Sequence, residues 1–426
     1  MNALRETFRP SITIPEIYRS NFNHLYWDIF WWGVLNGSTI TFLSIYATRL
    51  GASTVQIGML TAIPALMNLL FTFPAGSLAK RWSSIDSVKW GALITRSFYL
   101  GFILLPLFFT ESTQIWVIIL ISLVMNIPGV LVAIQFNAEF AEVVPIEYRG
   151  HVSGTRNALY ALASMVTLLI SGRILSWVSM PLNYQIVFGI GLLGAMMSVY
   201  HLFHIRPLPG EKKPAEGRAE TPKVPRFRTD VLTPAYKSML GLVFLFQFAL
   251  VVVGPIGPKH QIGTLHQSDS TISIGNAIFY VTLLVGSILF RSWSQRISFQ
   301  RLTAIGMLIT CGTLILFTYS YQNWIYYIHH TFAGIGWALI NSGLINFVLQ
   351  QIPESDRTAH LTWFNIVLNG AILLSGFVGP WLGNIFGIVS VLLGTVVLRL
   401  VVGILLYRWK PTSQPTVDEI TAKNSR

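Results

Sequence analysis

The chain has 426 residues, of which 53% are hydrophobic and only 11% are charged. Its mean hydropathy is +0.58, so a water-soluble domain of this size would lack the charged surface that keeps it in solution. The formal net charge of +12 is compatible with nucleic-acid binding, but the positions of the cations explain it as membrane topology. We therefore expect no nucleic-acid partner.

Twelve apolar stretches along the chain are each long enough to cross a bilayer, which takes roughly 20 residues in a helix. Their hydrophobicity is continuous rather than alternating, which favours helices over the strands of a membrane barrel. The sequence therefore predicts an all-α membrane protein with twelve transmembrane helices. In chain order, the predicted spans cover residues 22–47, 55–79, 89–109, 114–137, 153–177, 183–205, 235–257, 270–290, 300–319, 323–349, 360–384 and 386–407.

Lysine and arginine residues are concentrated in alternate loops, as expected when positively charged loops remain in the cytoplasm. The loops on the other side contain only Arg49, Arg173 and Lys259. We expect a multi-pass protein of the plasma (cell inner) membrane with both termini in the cytoplasm. The predicted cytoplasmic set comprises Arg5, Arg9, Arg19, Lys80, Arg81, Lys89, Arg149, Arg156, residues 206–237, Arg291, Arg296, Arg301, Arg357 and residues 408–426.

The longest polar interruption is rich in Pro, Lys, Arg and Glu, a composition that disfavours a packed core. It divides six predicted helices from six. The first twenty residues contain no apolar run typical of a secretory signal, so we expect the first helix to act as the membrane anchor. The predicted organisation is a cytoplasmic segment 1–21, a six-helix bundle 22–205, a cytoplasmic linker 206–234, a second six-helix bundle 235–408 and a cytoplasmic tail 409–426.

Matching loops of the two halves carry similar residues, which indicates an internal duplication. The loop after the second helix reads Ser-Leu-Ala-Lys80-Arg81, and the loop after the eighth reads Ser-Trp-Ser-Gln-Arg296. The fourth helix is followed by Pro-Ile-Glu-Tyr-Arg149 and the tenth by Pro-Glu-Ser-Asp-Arg357, each with an Asn eight residues after the Arg. Two pseudo-symmetric six-helix bundles are therefore predicted.

The Gly76-Ser-Leu-Ala-Lys80-Arg81 segment resembles the major facilitator superfamily signature Gly-x-x-x-Asp-Arg-x-Gly-Arg-Arg, with Lys80 in place of the Asp and without the later Gly and Arg pair. The Pro-x-x-x-Arg149-Gly150 element is similar to that family's loop between helices four and five. The resemblance implies two bundles related by a pseudo-two-fold axis along the membrane normal, and secondary transport by alternating access. The antiporter motif of the fifth helix is absent, because that span reads Ser-Gly-Arg173.

The same resemblance suggests a set of charged residues that close a cytoplasmic gate. Glu139 and Glu142 lie near the end of the fourth helix, where the family places an acid that pairs with the motif after the second helix. A solvated charge at a helix end is the alternative for these two acids. The implied gate set is Lys80, Arg81, Glu139, Glu142, Arg149, Arg296 and Arg357.

Asp28 and Arg96 are charged residues predicted about two turns inside the first and third helices, at equal depth. A charge near the centre of a bilayer costs about 2.5–3.5 kcal/mol on insertion scales, so such groups are usually paired or face a cavity. Asp28, Trp32 and Asn36 recur every four residues and Thr39 follows, which predicts one polar helix face. Asp28 is the candidate coupling acid; a buried ion pair with Arg96 that fixes helix packing is the alternative.

Single amides within other spans are further candidates for substrate contact. Asn369 lies in the eleventh helix on a stripe with Asn365, Gly376 and Gly383, and glycines at such spacing also let helices pack closely. Each amide can equally serve as an interhelical hydrogen-bond partner. The predicted substrate and ion pathway consists of Asp28, Trp32, Asn36, Arg96, Asn126 and Asn369.

Enzyme signatures such as His-Glu-x-x-His, a phosphate-binding loop or a Gly-x-Ser-x-Gly elbow are absent from the sequence. The single cysteine, Cys311, cannot form an intramolecular disulfide. We therefore expect no enzymatic activity, cofactor or metal, but a monomeric secondary transporter in membrane lipid that moves a small molecule, with protons as the candidate coupling ion. A membrane receptor or partner subunit with the same fold and no transport activity is the alternative.

Overall fold

A computed structural model describes residues 15–78, 83–207, 228–353 and 356–410, and all regular elements in these ranges are helices. The ends of the predicted N-terminal segment and tail, and residues 208–227 of the predicted linker, lie outside the described residues. The proposed domain boundaries therefore stay predictions.

The first helix, α1, has three consecutive segments. It starts as an α-helix at Glu16–Leu35, continues through a π-helical turn at Asn36–Ile40 and ends as an α-helix at Thr41–Arg49. The next helices of the first half begin within a few residues of the predicted positions, except that α3 begins five residues and α5 seven residues earlier than predicted. They are α2 (Thr54–Leu78), α3 (Ser84–Ser97 and Tyr99–Phe108), α4 (Glu111–Val143), α5 (Ile146–Trp177) and α6 (Leu182–Phe203).

The second half begins with a short 3-10 turn, Thr229–Val231, followed by α7, which ends at Val251. The predicted span continued to residue 257. The Gly254-Pro255 and Gly257-Pro258 pairs end the regular helix earlier, because proline cannot donate a backbone hydrogen bond. The elements of this half are α7 (Pro234–Val251), the short segments Gly257–Lys259 and His260–Thr264, α8 (Asp269–Ser294), α9 (Phe299–Thr318), α10 (Asn323–Gln351), α11 (Arg357–Phe386) and α12 (Ile388–Arg408).

Eleven helices of the described chain are individually long and apolar enough to span a membrane. These are α2 to α12. The Glu16–Leu35 segment of α1 falls short because it carries Asn21, His24 and Asp28, and Thr41–Arg49 is short by itself. Joined through the π turn, the three segments of α1 supply the twelfth crossing, and the predicted twelve-helix membrane fold is confirmed.

Each six-helix half has an apolar core, and the core of the first half extends across the contact to include Ile272 and Ala277 of the second half. The halves pack against each other mainly through two helix pairs. In the first half α1 lies against α5 and α6, while in the second half α9 packs against α10 and α12. Between the halves, α2 lies along α11 and α5 lies along α8. We call the end of the bundle that holds Glu16 and Arg408 the termini end, and the opposite end the distal end.

A close backbone approach joins α2 and α11. A Cβ atom added at Gly58 would lie 1.9 Å from the carbonyl oxygen of Gly376, and one added at Gly376 would lie 2.8 Å from the Cβ of Ala62. A similar approach joins α5 and α8, where a Cβ at Gly172 would meet the side chain of Ser273 at 2.3 Å. Glycine at these positions is what allows the halves to touch.

Candidate functional site: a buried charge cluster and the contacts between the halves

Asp28 on α1 is only 3% exposed and interacts with three other helices. Its Oδ1 lies 3.7 Å from Nη2 of Arg96 on α3, as the equal depth of these two residues suggested. Oδ2 lies 3.4 Å from Nη1 of Arg156 on α5, and the hydroxyl of Ser198 on α6 donates a hydrogen bond to Oδ1. Asp28 therefore ties together the four helices α1, α3, α5 and α6.

Arg156 corrects the sequence-based topology, which counted it among the cytoplasmic loop cations. The structure buries its guanidinium, which also donates a 2.7 Å hydrogen bond to the carbonyl oxygen of Leu25. The error has a simple cause. Because α5 begins at Ile146 rather than at residue 153, Arg156 lies ten residues, or about 15 Å, inside the helix instead of at its end.

Aromatic rings cover the two guanidinium groups. Arg96 lies 5.0 Å from the ring centre of Trp32, and Arg156 lies 4.8 Å from that of Phe136. A cation over an aromatic face is stabilised by the ring quadrupole, more strongly where water is excluded. Trp32 thus contacts the charge cluster directly, although no ligand is needed to explain its position.

Glu139 on α4 completes the cluster. It is fully buried, and it interacts electrostatically with Asp28, Lys89 and Arg156. Within the described part of the chain, neither of its carboxyl oxygens has a hydrogen-bond partner, and the same is true of Nη1 of Arg96. This burial excludes the solvated helix end that was the alternative for Glu139.

The other predicted gate residues have varied surroundings, and their gate role stays a prediction. Lys80 and Arg81 lie outside the described residues. Glu142 accepts a hydrogen bond from the hydroxyl of Ser84 on α3. Arg149 donates to two carbonyl oxygens near the end of α4, those of Val144 at 3.0 Å and Ala141 at 2.9 Å. It thereby caps this helix, whose last carbonyls have no partner within the helix itself.

Arg296 and Arg357 are both exposed at the termini end, after α8 and at the first residue of α11. Their neighbourhood includes an ion pair that the sequence did not suggest. Arg228, just before the 3-10 turn, lies 2.7 Å from Asp356 and also binds Asp230. These three residues connect the start of the second half to the N-terminal end of α11.

Asn36 lies where the two halves meet. Its Nδ2 donates to the hydroxyl of Tyr280 on α8 at 2.6 Å and to Ser164 on α5 at 3.2 Å. The ring of Tyr160 packs edge-on against Tyr280, with 5.9 Å between the ring centres. Thr39, the last member of the predicted polar face, lies inside the π turn and is buried against Gly191 of α6.

Asn126 and Asn369 donate within their own helices, to the carbonyl oxygens of Ser122 at 2.6 Å and Asn365 at 2.9 Å. In the described part of the chain, the side-chain carbonyl oxygens of these two amides take part in no hydrogen bond. Substrate contact by either amide stays a prediction.

At the distal end, polar contacts between the halves involve residues that sequence analysis had placed only in loops. Nη2 of Arg49 lies 2.9 Å from Oδ1 of Asp269 and 3.2 Å from the carbonyl oxygen of Gln267. Nζ of Lys259 lies 3.4 Å from the carbonyl oxygen of Ala52. In the sequence, these contacts could have been suspected from Arg49 and Lys259, because each is an isolated cation in an otherwise uncharged loop.

Two further distal contacts come from side chains within the helices. The Thr54 hydroxyl donates to Asn384 at 3.2 Å, which connects α2 to α11. The Ser273 hydroxyl donates to the carbonyl oxygen of Leu168, which connects α8 to α5. The halves are therefore held together by hydrogen bonds as well as by close packing.

Arg399 on α12 is a buried cation that the search for intramembrane charges missed. Its guanidinium donates to the carbonyl oxygens of Ala249 at 3.0 Å, Leu250 at 2.8 Å and Thr310 at 3.0 Å. The first two are free carbonyls in the last turn of α7, where a cation also complements the helix dipole. This role is structural. Across the described ranges, no group of three or more His, Cys, Asp or Glu side chains could hold a metal ion.

The model of the Major Facilitator Superfamily matches this chain over residues 30–261 and again over residues 239–425. The chain therefore belongs to the Major Facilitator Superfamily, a family of transporters. It is accordingly an integral multi-pass membrane protein and a transporter rather than an enzyme.

Comparison with known proteins extends this assignment to the fold. The nucleoside transporter NupG superposes with a TM-score of 0.66 at 14% identity, covering 93% of this chain and 100% of that one. A D-xylose-proton symporter gives 0.67 at 13% identity, covering 92% and 98%. A bacterial homologue of the iron transporter ferroportin, in an inward-facing state, gives 0.68 at 14% identity, covering 94% and 100%.

One curated relative is similar in sequence as well. "Uncharacterized protein YqgE" of Bacillus subtilis (strain 168) is 20% identical over 345 residues, which cover 79% of this chain and 75% of that protein.

Proposed function

We propose that this protein is a secondary active transporter that moves a small polar solute by alternating access between its two halves. The observation that carries the proposal is the group of contacts between the halves toward the distal end, with Asn36 and Tyr280 at their inner edge. A scaffold that does not change conformation has no need of an ion pair that breaks and re-forms between its halves. Arg49 and Asp269 form one that is partly open to solvent and can break at little cost.

Both termini lie on the cytoplasmic side of the plasma membrane in this proposal, so the distal contacts close the outer side. The ferroportin homologue of similar fold is described as inward-facing, which supports the same orientation of the gate here. Rocking of one half against the other would separate the α2–α11 and α5–α8 pairs. Asn36 and Tyr280 would then be exposed to the outside. The protein works as a monomer in lipid.

The solute binds beside Asn36, Tyr280 and Tyr160. These residues offer an amide and two phenol groups from both halves, which together suit a solute that has hydroxyl groups and a flat or sugar-like ring. NupG transports nucleosides and the xylose symporter transports a pentose, and both solutes have this chemistry. Nucleosides and pentoses therefore come first in the search for a ligand.

The test begins with the thermal stability of the purified protein in panels of nucleosides, sugars, amino acids and drugs. A ligand that binds only the folded protein raises its apparent stability by mass action. We expect a shift that is lost in Asn36→Ala and kept in Asn137→Ala, which removes an exposed amide of α4 that donates within its own helix.

Flux of the identified ligand is then measured in proteoliposomes with and without a pH gradient. Uptake against a concentration gradient, driven by the proton gradient, is the expected result. Ligand binding without any flux would overturn transport in favour of a receptor with this fold.

A further inference from the structure

Glu139 and Asp28 are both buried acids of the first half, but their surroundings differ. Asp28 has two guanidinium groups and a hydroxyl within reach, so its negative charge is well compensated. Glu139 is fully buried, and neither carboxyl oxygen meets a donor among the described residues. A buried carboxylate without hydrogen bonds is costly, whereas a protonated carboxyl group of the same shape is far less so.

The net charge of the cluster acts in the opposite direction. Arg96 and Arg156 together carry two positive charges against the single negative charge of Asp28. Lys89 on α3 adds a further cation near Glu139, and Glu142, which lies on α4 like Glu139, adds an anion. The surplus of positive charge favours an ionised Glu139, while its burial favours a neutral one. A group held between two such opposing influences can exchange a proton when its surroundings change slightly.

Helices α1 and α5 connect this cluster to the contacts between the halves. Arg156 and Leu168 lie on α5 twelve residues apart, or about 18 Å, and the carbonyl oxygen of Leu168 accepts the hydrogen bond from Ser273 of the other half. Asp28 and Asn36 lie on α1 eight residues apart, or about 12 Å. A change in the charge balance of the cluster that moves these helices therefore also moves their contacts with the other half.

We propose that Glu139 is the residue that binds and releases the coupling proton, while Asp28 stays ionised as the fixed partner of the two arginines. The proton is taken up while the distal end is open and is released to the termini side, near which Glu139 lies, one turn from the end of α4. When Glu139 loses the proton, its carboxylate attracts Arg156 away from Asp28 and Leu25, and α5 moves relative to α1. This inference rests on the proposed secondary transport, and it differs from the sequence-based hypothesis that Asp28 takes the proton.

The first test locates the proton without any substrate. Infrared spectra of the purified protein at about pH 7 report the C=O stretch of protonated carboxyl groups, and exposed acids are ionised at that pH. We expect this band in the native protein and in Glu142→Gln, and its complete loss in Glu139→Gln. Glutamine has the shape of the protonated acid, so the variant is expected to fold, which its melting temperature checks. A band that persists in Glu139→Gln, or no band in the native protein, overturns the proposal.

The second test asks whether the proton changes the seam between the halves. Cysteines at Thr54 and Asn384, in a Cys311→Ser background, are joined by a short bifunctional maleimide, and the rate of cross-linking is followed across pH. Because the thiolate is the reacting form, cross-linking becomes faster with rising pH in every variant, so the quantity compared is the ratio of the rate with Glu139 to the rate in Glu139→Gln. We expect this ratio to change several-fold with pH. A ratio that stays constant across pH overturns coupling through this residue.

These outcomes are separate from that of the flux assay. Failure of the proposed transport function would appear as absent flux, with the infrared band still assigned to Glu139. Failure of the Glu139 assignment would appear as a band that does not respond to its replacement, whatever the flux.

Discussion

Replacement of Gly58 by alanine tests whether the contact between α2 and α11 at the distal end opens as a gate. The added Cβ would lie 1.9 Å from the carbonyl oxygen of Gly376 and 3.0 Å from Cγ of Pro380, whereas ordinary van der Waals contact begins at 3.4 Å. The closest atom belongs to the backbone of α11, so it cannot rotate away. The α2 and α11 backbones must separate for the methyl group to fit.

The expected cost follows from this geometry. Overpacking by one methyl group typically costs about 1–3 kcal/mol. Because the strain exists only while α2 and α11 are in contact, it is relieved when the distal end opens. A bias of that size shifts a conformational equilibrium by about 5- to 150-fold. Gly58→Ala therefore favours the state that is open at the distal end and closed at the termini end.

The assay uses maleimide labelling of single cysteines in purified Cys311→Ser protein. Ser273→Cys reports on the distal seam, where Ser273 is 1% exposed. Asn365→Cys reports on the termini part of α11, where the side chain is exposed. In the Gly58→Ala background we expect faster labelling at residue 273 by the factor above and slower labelling at residue 365.

Two control variants make the result decisive. A Cβ at Gly394 on α12 would meet nothing within 4 Å, so Gly394→Ala should leave both rates unchanged. A Cβ at Gly191 would lie 2.0 Å from Oγ1 of Thr39 in the same half, so Gly191→Ala should lower the melting temperature without favouring either end. Unchanged labelling in Gly58→Ala, or faster labelling at both positions, would refute a gate at this contact.

Three further predictions concern the charged groups. Asp28→Asn should destabilise the fold by about 3–5 kcal/mol, because it leaves two buried arginines uncompensated, whereas Asp86→Asn, at an exposed acid in the first turn of α3 that bonds Ser83, should cost only about 0.3–1 kcal/mol. Arg399→Met should cost about 1–3 kcal/mol for each buried carbonyl left without a donor, seen as a lower melting temperature and faster proteolysis. The hydrogen bond from Arg228 lowers the pKa of Asp230, so this contact contributes fully above about pH 3.9, the value for an unfolded chain, and is lost as the pH falls through the lower folded value. Hydrogen exchange of the peptide containing Asp230 should rise in that acid range relative to Asp230→Asn, and an unchanged difference would refute the pairing.

The membrane fold could be predicted from sequence because apolar length and loop charge are local properties. All twelve predicted spans have counterparts within a few residues, apart from the ends set by polar turns and prolines. The Asp28–Arg96 contact could be anticipated in the same way, since equal depth follows from counting residues in two helices.

The remaining features depend on which helix faces reach each other, and counting residues does not give that. Arg156 was placed at the cytoplasmic end of the fifth span because the polar first turns of α5 hid where the helix begins. Arg399 was overlooked because its partners are backbone carbonyls, which carry no sequence signal. The contact between Asn36 and Tyr280 required the packing of the two halves.

The π turn of α1 has a consequence for how this helix divides its surfaces. A turn with one extra residue rotates the phase of the following helix by about 100° relative to an uninterrupted α-helix. The residues of α1 beyond Asn36–Ile40 are therefore rotated relative to those before the turn. The segment beyond the turn directs Arg49 toward Asp269 of the other half. A shift of the π turn by one residue would turn Asn36 away from Tyr280 while the ends of α1 remained in place. The middle of this helix can therefore rotate about the helix axis without movement of its ends.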